Sequence, residues 1–186
     1  SQSVRQSMVA LQSYLFSAAL SRIRIPHRVM SYCTYGNYTV LRRFRDYDDK
    51  SEADRRILEY RATSNNRDGL ALRGAGELIK SAPAEKHLLI LLTDASPNDS
   101  RRVPPSPEQP LGCDYGGSYG VDDAAAEVRT LRRNGLRVSA VFMGEDSSSH
   151  DAERIYGKNL ARIRGMDQLA RAAGRLIQNE IRELGD

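Results

Sequence analysis

One stretch constrains the fold more than any other: HLLILLTDASPND, residues 87–99. Leu88 to Leu92 form an unbroken apolar run that stops at Thr93 and Asp94 and passes into a polar loop. A strand with one face in water alternates apolar and polar residues. A run without alternation is covered on both faces, as in a parallel sheet packed between helices. The rest of the chain fits such a sheet. RQSMVALQSYLFSAALSR (5–22) has helical spacing, and Pro26 ends it. HRVMSYCTY (27–35) and YTVLRRFR (38–45) read as two strands joined by a Gly36-Asn37 turn, an antiparallel hairpin. DYDDKSEADRRILEY (46–60) starts acidic and becomes periodic, a loop entering a helix. DGLALRGAGELIKS (68–81) is a helix that Asp68 or a nearby Asn would cap, with the glycines of RGAGEL permitting close packing.

Residues 96–120 are rich in Pro, Gly and Ser and read as one long loop. A helix (121–135), a strand (136–143), a short helix (150–157), a short strand (159–163) and a closing helix (166–184) follow. Strands alternate with helices. The class is therefore α/β, with a Rossmann-like, mainly parallel sheet, helices on both faces and one antiparallel edge hairpin. Ligands in such sheets bind at the carboxyl ends of strands, and Asp94 stands at that end of the most apolar strand. A side-chain cap of its own turn is the competing role for Asp94.

Composition narrows the function classes. The 186 residues carry a net charge of +4, but the arginines alternate with acids along helical stretches such as EADRRILEYR, as on a solvated helix face. No basic patch carries interleaved aromatics, so nucleic acid is not the expected partner. No apolar run approaches the roughly 20 residues of a membrane span. Cys33 and Cys113 lie far apart without metal-site spacing, which suits free thiols in a reducing, cytoplasmic compartment. The phosphate-binding patterns G-x-x-x-x-G-K-[ST] and G-x-G-x-x-G and the hydrolase elbow G-x-S-x-G are absent. His27 and His87 open strands and His150 sits in a polar loop, poor places for a catalytic base. What remains is a set of hard oxygen and amide groups: Ser1 and Ser3 before the first helix, Asn65, Asn66 and Asp68 before the third, and Asp94. Such donors on separate loops suit Mg²⁺, or Mn²⁺ in its place.

The stretches NRDGLALR (66–73), LILLTDASPND (89–99), YGVDDAAAEVRTLRRNGLRVSAVFMGED (119–146) and IYGKNLARI (155–163), with IPHRVMSYCTYGNYTVLRRFRDYD (25–48), resemble a von Willebrand factor A domain. The resemblance is to the bacterial intracellular kind, similar to nitric-oxide-reductase-activation proteins and the cobaltochelatase accessory subunit. It spans nearly the whole chain, so residues 1–186 are expected to be a single domain. It implies a metal-ion-dependent adhesion site, whose open metal position takes a carboxylate from a partner protein. Asp94 matches one of its strand-end ligands, although TDA replaces the more usual T/S-D-G. Asn66 and then Asp68 match the second loop. Ser1, with Ser3 in one register, matches the serines of the leading D-x-S-x-S.

The leading Asp of that motif, and the central first strand that carries it, have no counterpart. Several buried side chains, each worth roughly 1.5–3 kcal/mol, would go with that strand. The sum rivals a whole domain's stability of about 5–15 kcal/mol. The expectation is a chain truncated at its N-terminal side, with weak Mg²⁺ binding. The implied function is a metal-dependent protein-interaction module rather than an enzyme, an accessory to a MoxR-type AAA+ ATPase that activates or metallates a target. A structural scaffold with a degenerate metal site is the alternative. A Mg²⁺-dependent phosphohydrolase would also need a lysine for the phosphate, and Lys50, Lys80, Lys86 and Lys158 offer none in place. Tyr115 and Tyr119 are candidate contact residues in the long loop.

Overall fold

The computed structural model describes residues 2–36, 38–107 and 110–185. The chain opens with α1 (Gln2–Arg22) and the antiparallel pair β1 (Val29–Tyr35) and β2 (Tyr38–Arg45). Asn37, half of the expected turn, lies outside the described residues, while Gly36 takes a left-handed φ of 59° as a tight turn requires. The helix expected after the acidic loop is a 3₁₀ helix, Ser51–Glu59, and α2 (Asp68–Ile79) follows. Next come β3 (Leu88–Thr93), β4 (Asp99–Val103), β5 (Cys113–Tyr115), α3 (Gly117–Arg133), β6 (Arg137–Phe142), α4 (Ser149–Tyr156), β7 (Leu160–Arg162) and α5 (Leu169–Gly185).

The expected α/β, Rossmann-like arrangement is present. β3, β6 and β7 form a parallel three-stranded sheet in the order β3-β6-β7. The pleat sends alternate side chains of the apolar run to opposite faces. Leu89 and Leu91 join Val138, Ala140 and Phe142 under α2, α3 and α4. Ile90 and Leu92 join Val141 under α5 and Phe16 of α1. Both faces are covered, which is why the run has no polar member.

The expected close packing at RGAGEL is also found. A Cβ built on Gly76 would lie 2.4 Å from a Leu131 methyl on α3, and one on Gly74 would lie 2.9 Å from a Leu41 methyl on β2. Two sequence expectations are corrected. Residues 96–120 are not one loop, because β4 and β5 pair antiparallel into a short arm and α3 begins as early as Gly117. His150 lies in the first turn of α4 rather than in a loop.

The expected central strand has no counterpart among the described residues, and its place is a cleft of about 940 Å³ between β1 and β3. α2 starts beside the carboxyl end of β1, where the Arg67 N–H donates to Thr34 Oγ1 at 3.0 Å. It ends beside the amino end of β1, where Arg28 donates to the Leu78 carbonyl at 3.1 Å. α2 therefore runs against β1, and β3 after it runs with β1. The carboxyl ends of β1 and β3 are tied together. Thr34 N–H donates to the Asn65 carbonyl at 2.6 Å, and Asn66 and Asn98 exchange main-chain bonds of 2.8 and 2.9 Å.

Candidate functional site

The candidate residues converge on that tied rim. Thr93 and Asp94 leave the sheet together and turn back sharply. Thr93 Oγ1 accepts the Ala95 N–H at 2.8 Å, and Asp94 Oδ1 accepts the Ser96 N–H at 3.2 Å. The second bond is the turn-capping role weighed for Asp94 in the sequence. Ala95 stands at φ 54°, in the left-handed region where T/S-D-G would place glycine, and its methyl is buried. The Asp94 side chain itself is exposed.

Asn66 links the other candidates. Its Nδ2 donates to Asp68 Oδ1 at 2.9 Å and to the Ser96 carbonyl, in the Asp94 loop, at 3.2 Å. Asp68 is 0% exposed, and its Oδ2 is buried without a hydrogen-bond partner. Burial pushes its carboxyl up to about 6. Hydrogen bonding from Asn66 and Tyr32 opposes that rise, and the carboxylates of Asp94 and Asp123 add to it. Asp68 does not cap α2 as expected. It is the first helical residue, the cap position is Arg67, and the Arg67 side chain makes no capping bond. Its charge still faces the positive end of the helix dipole.

So three of the five candidate ligands, Asn66, Asp68 and Asp94, share one rim. Ser1 lies outside the described residues, and Ser3 is placed only as far as its position in α1. Among the described residues, no group of three or more His, Cys, Asp or Glu side chains is arranged to hold a metal ion. The described donors do not by themselves fit a Mg²⁺ site. Asp68 is sealed, and one oxygen of Asp94 serves its own turn. Mg²⁺ takes one or two carboxylates beside neutral oxygens and waters in near-octahedral geometry.

Beside the rim stands a clamp that no periodic pattern announces. Arg67 donates through Nε to the buried Asp99 and through Nη2 to the Arg101 carbonyl at 3.0 Å. Its guanidinium also lies 4.8 Å from the centre of the Tyr115 ring. Burial works against the Asp99 charge, but bonds from the Arg101 main chain and the Arg67 guanidinium hold its carboxyl below the ordinary range. Tyr115 in turn donates to Asp123 at 2.7 Å. Tyr115, one of the two candidate contact residues, is thus a buried strut. Tyr119 packs edge-on to it, ring centres 5.9 Å apart. Arg67 thus fixes the β4–β5 arm to the start of α2. On the outer side of the rim the hairpin tip shows Tyr35 and Tyr38, 71% and 75% exposed.

No protein-family model matches the chain. Curated relatives do. Protein NorD of Stutzerimonas stutzeri is 31% identical over 141 residues, covering 73% of this chain and 21% of that protein. Protein NorD of Brucella suis is 28% identical over 108 residues, covering 57% and 15%. An uncharacterised protein of Pseudomonas aeruginosa is 26% identical over 144 residues, covering 73% and 21%. The chain spans about a fifth of the length of the first relatives. Its similarity to two NorD proteins across this segment makes it a distant relative of that group.

Proposed function

We propose that this chain is a non-catalytic protein-binding domain of the kind carried by NorD-type accessory proteins, working as a scaffold with a degenerate metal site. The observation that carries the reading is the state of the two carboxylates. Asp68 is sealed under Asn66, and Asp94 caps its own turn, so the rim offers a folded loop cluster rather than an open ligand set. What it presents outward is the exposed tyrosine pair of the hairpin tip and the clamped arm, a surface suited to a protein. Of the lysines that phosphoryl chemistry would call on, Lys86 stands at the opposite end of β3 from Asp94, and Lys80 pairs with Glu77 on the surface. The partner class implied by the resemblance is a MoxR-type AAA+ ATPase, with a target enzyme to activate or metallate.

A second reading, a Mg²⁺-dependent interaction module, is favoured by one observation. Asp68 Oδ2 is a buried oxygen without a partner, next to Asn66 and within electrostatic reach of Asp94. In that reading the partner offers an acidic residue to the metal. Titration calorimetry with Mg²⁺ and Mn²⁺, on the chain and on Asp94→Ala, separates the two. The scaffold reading expects no saturable heat from either protein. Saturable binding that disappears in Asp94→Ala would overturn it in favour of the metal-dependent module.

A further inference from the structure

We propose that the proline-rich end of the β4–β5 arm is the ligand of a polyproline-reading groove, a cleft on a partner protein lined by aromatic side chains with a carboxylate at one end. The segment is Arg101-Arg102-Val103-Pro104-Pro105-Ser106-Pro107. This role deepens the protein-binding reading above and rests on it, but it needs no metal.

Covalent geometry sets the shape of the segment. A proline ring fixes its own φ at about −65°, and the residue before a proline is driven from the helical region toward extended backbone. Val103, Pro104 and Ser106 each precede a proline, and Pro105 and Pro107 are prolines themselves. Every residue from 103 to 107 is therefore restricted in one way or the other, and the run favours the polyproline II helix. The β4–β5 ladder stops at the Val103–Cys113 pair, as prolines without an N–H require. At about three residues per turn and about 3.1 Å per residue, Pro104 and Pro107 share one face roughly 9 Å apart. Pro105 belongs to another face, and Arg101 stands three residues before Pro104.

The fold presents this run instead of covering it. Pro104, Pro105 and Pro107 are all exposed, as is Leu111 after them, at 88%. β4 and β5 pair with each other, apart from the parallel sheet, and the hold of Arg67 on Asp99 secures the base of the arm. Gly112 takes a left-handed φ of 64°, and a Cβ built on it would lie 2.4 Å from the Val103 carbonyl oxygen, so the returning chain closes tightly under the first proline. A turn needs one such glycine. It does not need three prolines in four positions. A segment already extended loses little freedom on docking, which is why aromatic grooves read such sequences. The arginines supply the charge. Arg102 lies 3.3 Å from Asp114 with both side chains largely in water, a weak pair that a partner's carboxylate can replace. Arg101 is exposed and reaches the hairpin tip, where a Cβ built on Gly36 would lie 3.8 Å from its Nη2. An acidic partner thus meets positive charge at one end of the run, which fixes the direction of binding.

The test uses the 186-residue chain in EDTA and a purified SH3 domain of the class that binds Arg-x-x-Pro-x-x-Pro peptides. The chain has no tryptophan, so the tryptophan of the SH3 groove reports binding without background. A saturable fluorescence change is expected. Pro104→Ala and Pro107→Ala, on the docking face, should each weaken binding about tenfold, and Pro105→Ala, off that face, less than about twofold. Arg101→Glu should weaken it and flatten its dependence on salt. The alanine variants are expected to share one urea midpoint with the unmutated chain, which separates lost contact from lost fold. No fluorescence change with the unmutated chain would overturn the proposal. Equal weakening by all three alanines would reduce the effect to apolar contact without register and overturn it too. Binding that survives both Pro104→Ala and Pro107→Ala would place the contact elsewhere, such as the exposed tyrosines. That result would end the role of the arm and leave the protein-binding reading standing.

Discussion

β3 and β6 are both six-residue apolar strands, paired with each other along their whole length, yet they live in different surroundings. β6 has a partner on each edge and helices on each face, and Val138 to Phe142 are all buried. β3 has the same helical cover but one open edge, and only Leu91 and Thr93 of its six residues are fully buried. Covering the faces of a sheet is therefore not enough to bury a strand. In-plane neighbours supply the rest, and main-chain pairing and side-chain burial come from the same event.

The largest effect should come from testing that contrast directly. Phe142→Ala, in the closed strand, is expected to cost about 3–5 kcal/mol. Ile90→Ala, in the open one, starts from partial burial and should cost about half as much. Urea unfolding midpoints of the two variants measure the gap. If Ile90→Ala proved as costly as Phe142→Ala, β3 would be closed in solution and the contrast would break.

The next effect concerns the rim where the open edge ends. The Asp68 carboxyl rises from 3.8 to about 6 on folding, so between those values the folded state binds the extra proton. Stability therefore increases as pH falls through about 6 and levels off below about 4. Above 6 the charged, buried carboxylate costs on the order of 3 kcal/mol. Asp68→Asn is expected to remove that slope and to raise stability at neutral pH. Unfolding free energies at a series of pH values check both, and an unchanged slope would mean that Asp68 is better solvated than its burial implies.

The smallest effect is at Ala95. Releasing its left-handed strain with Ala95→Gly should gain about 1 kcal/mol. The buried methyl lost is worth about 0.8 kcal/mol, and glycine adds freedom to the unfolded chain worth about 0.4–1 kcal/mol. A slight net loss, within about 1 kcal/mol, is expected in thermal unfolding. A clear gain would show that the turn after Asp94 is more strained than its φ angle alone implies.

Much of this was legible in the sequence because it rests on short-range patterns. The unbroken run at 88–92 announces a strand covered on both faces, and Gly36 announces the hairpin. RGAGEL inside a helical pattern announces a tight contact, though not with which neighbours. The arm was illegible. β4 and β5 are five and three residues long, separated by a proline-rich segment, and neither has a period to read. The pairing of Arg67 with Asp99 joins residues 32 apart in the chain, and one buried carboxylate in a polar loop looks like any other. For the candidate site, the sequence brought Asn66, Asp68 and Asp94 to one place. It could not show that Asp68 is sealed, because burial at the first turn of a helix depends on what packs over it.

Gly74 and Gly76 carry a consequence beyond packing. One faces the hairpin through Leu41 and the other faces α3 through Leu131, so α2 touches a strand on one side and a helix on the other through absent side chains. An added carbon at either glycine would have to push a leucine end aside, so α2 meets its neighbours on both sides by bare backbone.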